Sequence, residues 1–511
     1  MSAASRPRAA VVTLTLALVV AGCIGDRDGS PDDVSWEPCP EVPAEAVGDL
    51  APPEFLTQLT AQVTYECATI TVPRDWSDRD GDTFDIALLR ARSDRQQDRI
   101  GSLVINPGGP GASGVDTAVF LSFGPAFGGL PEEVTGRFDI VGFDPRGVER
   151  SSPVDCLTDA DLDAAFAAEP DPVEQEEFEA MLAYQERTAD ACGEKYGEML
   201  RDYSTHQAAR DLDAVRSAVG DKKLTYLGFS YGTLLGAVYA QLHPDRIRAM
   251  VLDGAVDATA DPVEMARGQA EGFERAFDNF SDWCAEAGAD VCPLGADARD
   301  AVTTALEDAR KSPAVGADGR EATAGWILYA VISALYSDAS WPALAAAIDQ
   351  LDTGDPTGVF DLADAYTDRT SDGHYSNMWD ANLVISCADE AAEVSVEQAR
   401  DLQERWRAEL PLFGGTVALG TLGCYGWPVE PDPYPTGPAK GAPPLLVIGT
   451  TGDPATPYES AGKLASMLGV GVVLTWEGEG HTAYPGSECV IKTVDAYLID
   501  LTVPAEGTTC D

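Results

Sequence analysis

Three side chains in this 511-residue chain could together break an acyl bond: the Ser230 hydroxyl, the Asp453 carboxylate and the His481 imidazole. Ser230 sits in Gly228-Phe229-Ser230-Tyr231-Gly232. The apolar run Leu224-Thr225-Tyr226-Leu227 comes directly before, and the helical pattern Thr233-Leu234-Leu235-Gly236-Ala237-Val238-Tyr239 directly after. That order predicts a strand, a sharp turn carrying one serine, then a helix. The flanking glycines let the two segments pass closely, and the strained turn lifts the hydroxyl off the sheet edge. A serine at its own pKa is a weak nucleophile and needs a base within hydrogen-bond reach. His481, in Gly478-Glu479-Gly480-His481-Thr482, is the expected base. Asp453, which follows the run Leu445-Leu446-Val447-Ile448, would bond the far ring nitrogen, fix its tautomer and stabilise the imidazolium formed during attack. The remaining histidines carry less weight: His243 ends the helix after the turn, His206 starts a polar helix, and His374 belongs to the surface.

A developing oxyanion needs preorganised N–H donors. Tyr231, immediately after the serine, is expected to supply one. The glycine turn Asn106-Pro107-Gly108-Gly109-Pro110-Gly111 is expected to supply the other through Gly109, with Gly108 as the fallback. Asp144-Pro145-Arg146-Gly147, followed by Glu149-Arg150-Ser151, reads as a structural turn with an internal Arg–Asp pair.

These loops need strands beneath them. Segments 63–72 and 83–91 read as an opening antiparallel pair, and 102–106, 138–143, 248–252 and 444–449 as buried strands. Helical patterns fill 159–200 and 206–219. The gap between 252 and 444 is too long for one connection and must hold structure of its own. Its Ala-, Glu- and Arg-rich stretches, such as 262–283 and 396–410, read as helices, and 430–435 as a stiff Pro-rich return. The chain order Ser, Asp, His is that of an α/β-hydrolase fold. The expected class is therefore α/β, with a mostly parallel central sheet flanked by helices and a large helical lid inserted late in the core. The expected divisions are a lipoprotein-type signal peptide at 1–22, a tether and N-terminal extension at 23–60, the opening stretch of the hydrolase core at 61–258, the lid at 259–435, and the closing stretch of the core, with the acid and the histidine, at 436–511.

Arg6 and Arg8 precede a short apolar stretch that ends in Val20-Ala21-Gly22-Cys23. A basic start, an apolar core and small residues before a cysteine predict export, with lipid-modified Cys23 as the mature N-terminus on the outer side of a bacterial cytoplasmic membrane. Ordinary cleavage and secretion is the alternative. Setting Cys23 aside leaves an even number of the 11 cysteines, which suits disulfides in an oxidising compartment. Sequence does not fix their connectivity. Pairing in chain order is the expectation: Cys39–Cys67, Cys156–Cys192, Cys284–Cys292, Cys387–Cys424 and Cys489–Cys510. Zinc is disfavoured, since there is no close Cys-x-x-Cys pair and only four His. A net charge of −51 repels nucleic acid and would draw in cations, free peptide amines among them.

Taken together, Gly-Gly-Pro-Gly after one strand, Asp-Pro-Arg-Gly after the next, Gly-x-Ser-x-Gly, Gly-Asp-x-x-x-Pro and Gly-His resemble the α/β-hydrolase peptidases. These are the proline iminopeptidases and, more closely, the secreted tripeptidyl aminopeptidases of high-GC Gram-positive bacteria. The resemblance runs from about Trp36 to Cys510 and includes Val72-Pro73-Arg74-Asp75-Trp76 and Ile385-Ser386-Cys387-Ala388-Asp389. It implies release of short peptides from a free N-terminus, with Ser230 as nucleophile, Asp453 as orienting acid, His481 as base and no metal or organic cofactor. Iminopeptidases usually carry His before the paired glycines. Asn106-Pro107 here favours the tripeptidyl branch. Such an enzyme must recognise a charged α-amine, and Asp389 and Glu390 are the expected anchor, since a charge-assisted hydrogen bond contributes about 1.5–3 kcal/mol. An exported carboxylesterase or lipase would share the same triad chemistry. A non-catalytic binding lipoprotein is the third reading.

Overall fold

The computed structural model describes residues 34–39, 62–390 and 394–511. The expected signal segment, its Cys23 and most of the tether lie outside the described residues. The strands are β1 (Glu37–Pro38), β2 (Val63–Pro73), β3 (Thr83–Ser93), β4 (Gly101–Asn106), β5 (Phe138–Phe143), β6 (Leu224–Phe229), β7 (Ile247–Asp253), β8 (Leu445–Gly452), β9 (Gly471–Glu479) and β10 (Thr508–Cys510). They form one sheet in the order β1-β2-β3-β5-β4-β6-β7-β8-β9-β10. The opening strands pair antiparallel, as does β3 with β5, and every pair from β5 to β10 is parallel.

Every position of β4 and β5 is buried, because helices cover both faces of the parallel block. Successive side chains alternate between two apolar layers. Val104, Tyr226, Met250 and Val447 pack with residues of helices Thr205–Ala218, Tyr231–Leu242 and Glu459–Leu468. Leu103, Leu227, Val251 and Ile448 pack with helices Gly114–Ser122 and Glu488–Asp500. Continuous apolar runs are the sequence signature of strands covered on both sides.

Between β7 and β8 the chain builds a helical insertion, from Pro262–Ala287 to Gly414–Gly420, with an aromatic core of its own around Phe273, Phe277, Phe280, Trp326 and Phe413. The helical stretch read across 159–200 divides into Asp159–Ala167 and Gln175–Tyr196, with Pro170 and Pro172 in the break. Both pieces pack with the insertion although they precede β6 in the chain. The Phe166 ring lies 5.0 Å from Tyr329 and 5.2 Å from Trp379, and Phe178 packs with Ala399 and Leu419. All five disulfides form in chain order. Cys387–Cys424 fastens helix Met378–Asp389, which ends in Asp389, to the turn after Gly414–Gly420.

The Asp144–Ser151 segment is a structural turn with an internal pair, Arg150 to Asp144 at 3.3 Å, while Arg146 pairs outside it. Asp144 accepts from Ser113 and Arg150, whereas buried Arg146 reaches Asp211 in helix Thr205–Ala218 with two bonds of 2.7 Å. Three more bonds run from Arg146 to the carbonyls of Pro73, Arg74 and Asp202. This one guanidinium joins β2, the turn after β5 and the helix before β6. Removing one partner of a buried pair leaves an uncompensated charge, at a cost of about 3–5 kcal/mol. Arg146→Met is expected to lower the unfolding free energy by about that amount, measured by denaturant titration with the disulfides intact.

Candidate active site

Ser230 follows β6 with φ 54° and ψ −124°, a strained conformation for a residue with a side chain, and begins helix Tyr231–Leu242. The turn is fixed from below. Ser230 N–H donates to the Asp253 carbonyl at 2.9 Å, while the Ser230 carbonyl accepts from Thr233 N–H at 2.8 Å and Thr233 Oγ1 at 2.6 Å. The β4 loop comes up against it. A Cβ on Gly108, which has φ 102°, would lie 2.6 Å from the Phe229 carbonyl and 2.9 Å from Ser230 Cβ, so only glycine fits. Gly108 N–H is engaged by Asn106 Oδ1 at 3.2 Å. Tyr231 is the first residue of its helix, so its N–H has no acceptor within the helix.

Asp453 and His481 meet. His481 Nδ1 lies 2.9 Å from both carboxylate oxygens of Asp453. The carboxylate is buried and also accepts from Ala455 N–H at 2.9 Å, Thr456 N–H at 2.8 Å and Thr456 Oγ1 at 2.9 Å. His481 N–H donates to the Tyr336 carbonyl at 2.9 Å, and the Tyr336 ring stands edge-on to the imidazole at 5.1 Å. Gly480, at φ 98°, permits this approach, since a Cβ there would lie 2.7 Å from the same carbonyl. Burial opposes charge on the imidazole, but the Asp453 charge and hydrogen bond, with help from Asp253, hold its pKa above the ordinary histidine value.

Asp253 is the link between the elbow and the histidine loop. It ends β7, its backbone carbonyl holds Ser230, and its buried carboxylate accepts from Ala483 N–H at 3.0–3.1 Å and Tyr484 N–H at 2.8 Å. The next residue, Gly254, brings the backbone within about a side chain of the imidazole: a Cβ there would lie 3.1 Å from His481 Cε1. Burial pushes the Asp253 carboxyl up to about 7, with the Tyr484 and Ala483 amides pulling the other way.

Ser230, Gly109 and Tyr231 line a cavity of about 1230 Å³, together with Thr456, Tyr336, Asp389 and Glu390. Asp389 accepts from Thr205 N–H at 2.8 Å and Thr205 Oγ1 at 2.5 Å, and that hydroxyl also meets the Tyr231 phenol at 2.5 Å. Burial pushes the Asp389 carboxyl up to about 7, the Thr205 bonds oppose this, and Asp432 adds to it. The other histidines stay outside this cluster: His206 pairs with Asp432, exposed His374 with Asp159, and the His243 ring lies tilted against Tyr239 at 5.1 Å. Among the described residues no group of three or more His, Cys, Asp or Glu is arranged to hold a metal.

Asp253, Thr205, Thr456 and Tyr336 were not read as site residues from sequence. Asp253 could have been, as the residue just past the expected strand 248–252. Thr456 lies within the Gly-Asp-x-x-x-Pro segment. Thr205 and Tyr336 carry no local signal.

A strand–serine–helix elbow, with acid and imidazole on loops at later strand ends, defines an α/β-hydrolase. The family model described as "TAP-like protein" matches residues 410–510. The chain is 39% identical to "Serine protease Hip1" of Mycobacterium tuberculosis (H37Rv), over 97% of this chain and 96% of that protein. It is 37% identical to "Carboxylesterase B" of M. tuberculosis (CDC 1551), over 89% and 88%, and 30% identical to "Tripeptidyl aminopeptidase" of Streptomyces lividans, over 87% and 83%. The chain belongs to this family of α/β-hydrolase serine peptidases.

Two pH-dependent outcomes follow from the Asp453–His481 pair and the Asp253 clamp. The base must be neutral to accept a proton, so the acid limb of kcat/KM is expected above the ordinary histidine pKa of about 6.5. Asp253→Asn removes one of the charges that raises His481 and leaves the Ala483 and Tyr484 N–H donors a poorer acceptor. The acid limb is expected to move to lower pH and kcat to fall about tenfold or more, with KM little changed. A pH–rate series on both proteins reads both effects.

Proposed function

We propose that this protein is an exported aminopeptidase that releases short peptides, tripeptides foremost, from a free N-terminus through an acyl-enzyme on Ser230. Ser230 Oγ attacks the scissile carbonyl carbon as its proton passes to the ring nitrogen of His481 that faces away from Asp453. Gly109 and Tyr231 N–H groups stabilise the oxyanion. The choice of Gly109 over Gly108 is supported by the Asn106 bond that already engages Gly108. The C–N bond then breaks, His481 returns its proton to the leaving amine, and the acyl fragment stays on Ser230. Water attacks the ester, His481 takes its proton and delivers it to Ser230, and the N-terminal fragment leaves as a carboxylic acid. Export, with a lipid on Cys23 holding the enzyme to the outer face of the membrane, belongs to the proposal and is supported by the leader pattern in the sequence.

The observation that carries the exopeptidase reading is that Asp389 and Glu390 share one cavity with Ser230. A buried carboxyl with a pKa of about 7 is half neutral at neutral pH, and an entering ammonium group stabilises its charged form. A substrate blocked at its amine brings no cation, so the carboxyl takes up a proton and that contact is lost. The relative named Carboxylesterase B gives weight to a second reading, hydrolysis of uncharged acyl esters. The two separate by mass spectrometry of products from free and N-acetylated peptides, beside a short acyl ester. Tripeptides released from the free form alone are expected; an ester cleaved well while peptides stay intact favours the second reading. Asp389→Asn is expected to lower hydrolysis of free-amine peptides by about tenfold or more, with a smaller effect on the ester. Equal losses on both would remove the anchor role.

A further inference from the structure

Arg275, on helix Pro262–Ala287, lines the same cavity as Ser230. Its Nε and Nη2 atoms are buried and have no hydrogen-bond partner among the described residues. That is costly for a guanidinium, whose buried nitrogens are ordinarily paired with carboxylates or carbonyls. Carboxylates are plentiful here, with 85 acidic residues to 34 basic ones. On the cavity wall Arg267 pairs with Glu271 and Glu409, and Lys463 with Asp257. The carboxylate whose charge Arg275 influences, Glu479, gives both oxygens to Asn279 Nδ2 at 3.0 Å.

The helix face carrying Arg275 is turned to the acid and histidine loops. Gly272, one turn before, lies so close to the Asp453 loop that a Cβ would stand 2.5 Å from the Pro454 carbonyl. Asn279, one turn after, holds Glu479, two residues before His481. Positions 272, 275 and 279 share one helix face. Arg275 is thus on the histidine side of the cavity. In acyl transfer the imidazole protonates the leaving group, so that side receives the fragment that departs.

We propose that Arg275 binds a carboxylate on the leaving fragment of the substrate, making this a peptidase that favours an acidic group just beyond the cut. The proposal rests on the peptidase reading of Ser230. The carboxylate has two possible sources, an acidic side chain after the scissile bond or the free C-terminus of a short peptide. Two pairs of peptides separate them: Ala-Ala-Ala-Glu-amide against Ala-Ala-Ala-Gln-amide, and Ala-Ala-Ala-Ala as free acid against its amide. Wild type is expected to prefer the carboxylate in at least one pair by about tenfold or more in kcat/KM, chiefly through KM. Arg275→Gln is expected to bring that ratio close to one, and Arg275→Lys to keep some of it. No preference by wild type in either pair, or an Arg275→Gln loss equal across all four peptides, overturns the proposal.

Binding of the same peptides to Ser230→Ala, by calorimetry, reads the preference without turnover. Peptides that bind with the carboxylate preference but are never cleaved by wild type would remove the peptidase reading and keep the Arg275 contact. Equal affinities within both pairs overturn the contact. Circular dichroism of both Arg275 variants shows whether they are folded, and Arg275→Lys carries the comparison if Arg275→Gln is not.

Discussion

Strands β4, β6, β7, β8 and β9 run parallel, so their carboxyl ends emerge at one edge of the sheet. The chain after each strand must turn there. In turn it supplies the Gly108–Gly109 loop, Ser230, Asp253, Asp453 and His481. Residues more than two hundred positions apart meet because the strands beneath them share hydrogen bonds. The elbow stands where the strand order reverses, with β5 on one side of β4 and β6 on the other, and loops diverge to leave a crevice at such a point. Asp253 turns this general convergence into a particular geometry. Its carbonyl fixes the serine turn and its carboxylate fixes the histidine loop, so both hang from one buried residue.

The helical insertion is more than a cover. Tyr336 holds the His481 backbone, helix Pro262–Ala287 rests on the Asp453 loop, and helix Met378–Asp389 contributes the acidic end that reaches Thr205. A Cβ on Gly111 would lie 2.3 Å from the Met378 carbonyl, so the β4 loop is also packed against the insertion. The insertion therefore sets the position of the His481 imidazole as well as the shape of the cavity. Helices 159–167 and 175–196 support it from the other side of the elbow in sequence. A change in the insertion's aromatic core would thereby reach the imidazole through a few packed contacts.

Much of the sheet was legible because fully covered parallel strands read as short apolar runs bounded by turn residues, as in 102–106 and 138–143. The serine, acid and histidine loops were legible for a related reason: glycines mark places where the backbone must pass another closely, at Gly108 and Gly480 above all. The pairing of Arg146 was not legible, since an arginine in a turn gives no hint that its partner, Asp211, lies on a helix far along the chain. Nor were Thr205 and Tyr336, whose contributions are a hydroxyl and a backbone carbonyl that many residues could offer. Interactions between distant segments leave no periodic trace. Arg275 belongs to the same class: its significance lies in what it lacks as a partner, which only the folded arrangement reveals.

The account depends on Ser230 being activated by His481. A fluorophosphonate probe tests this most directly, with the adduct located by peptide mass spectrometry in wild type and in His481→Ala. The account predicts one adduct on Ser230 in wild type, formed at least about a thousandfold more slowly in the variant. An adduct on another serine, or labelling of Ser230 at the same rate without His481, would contradict it.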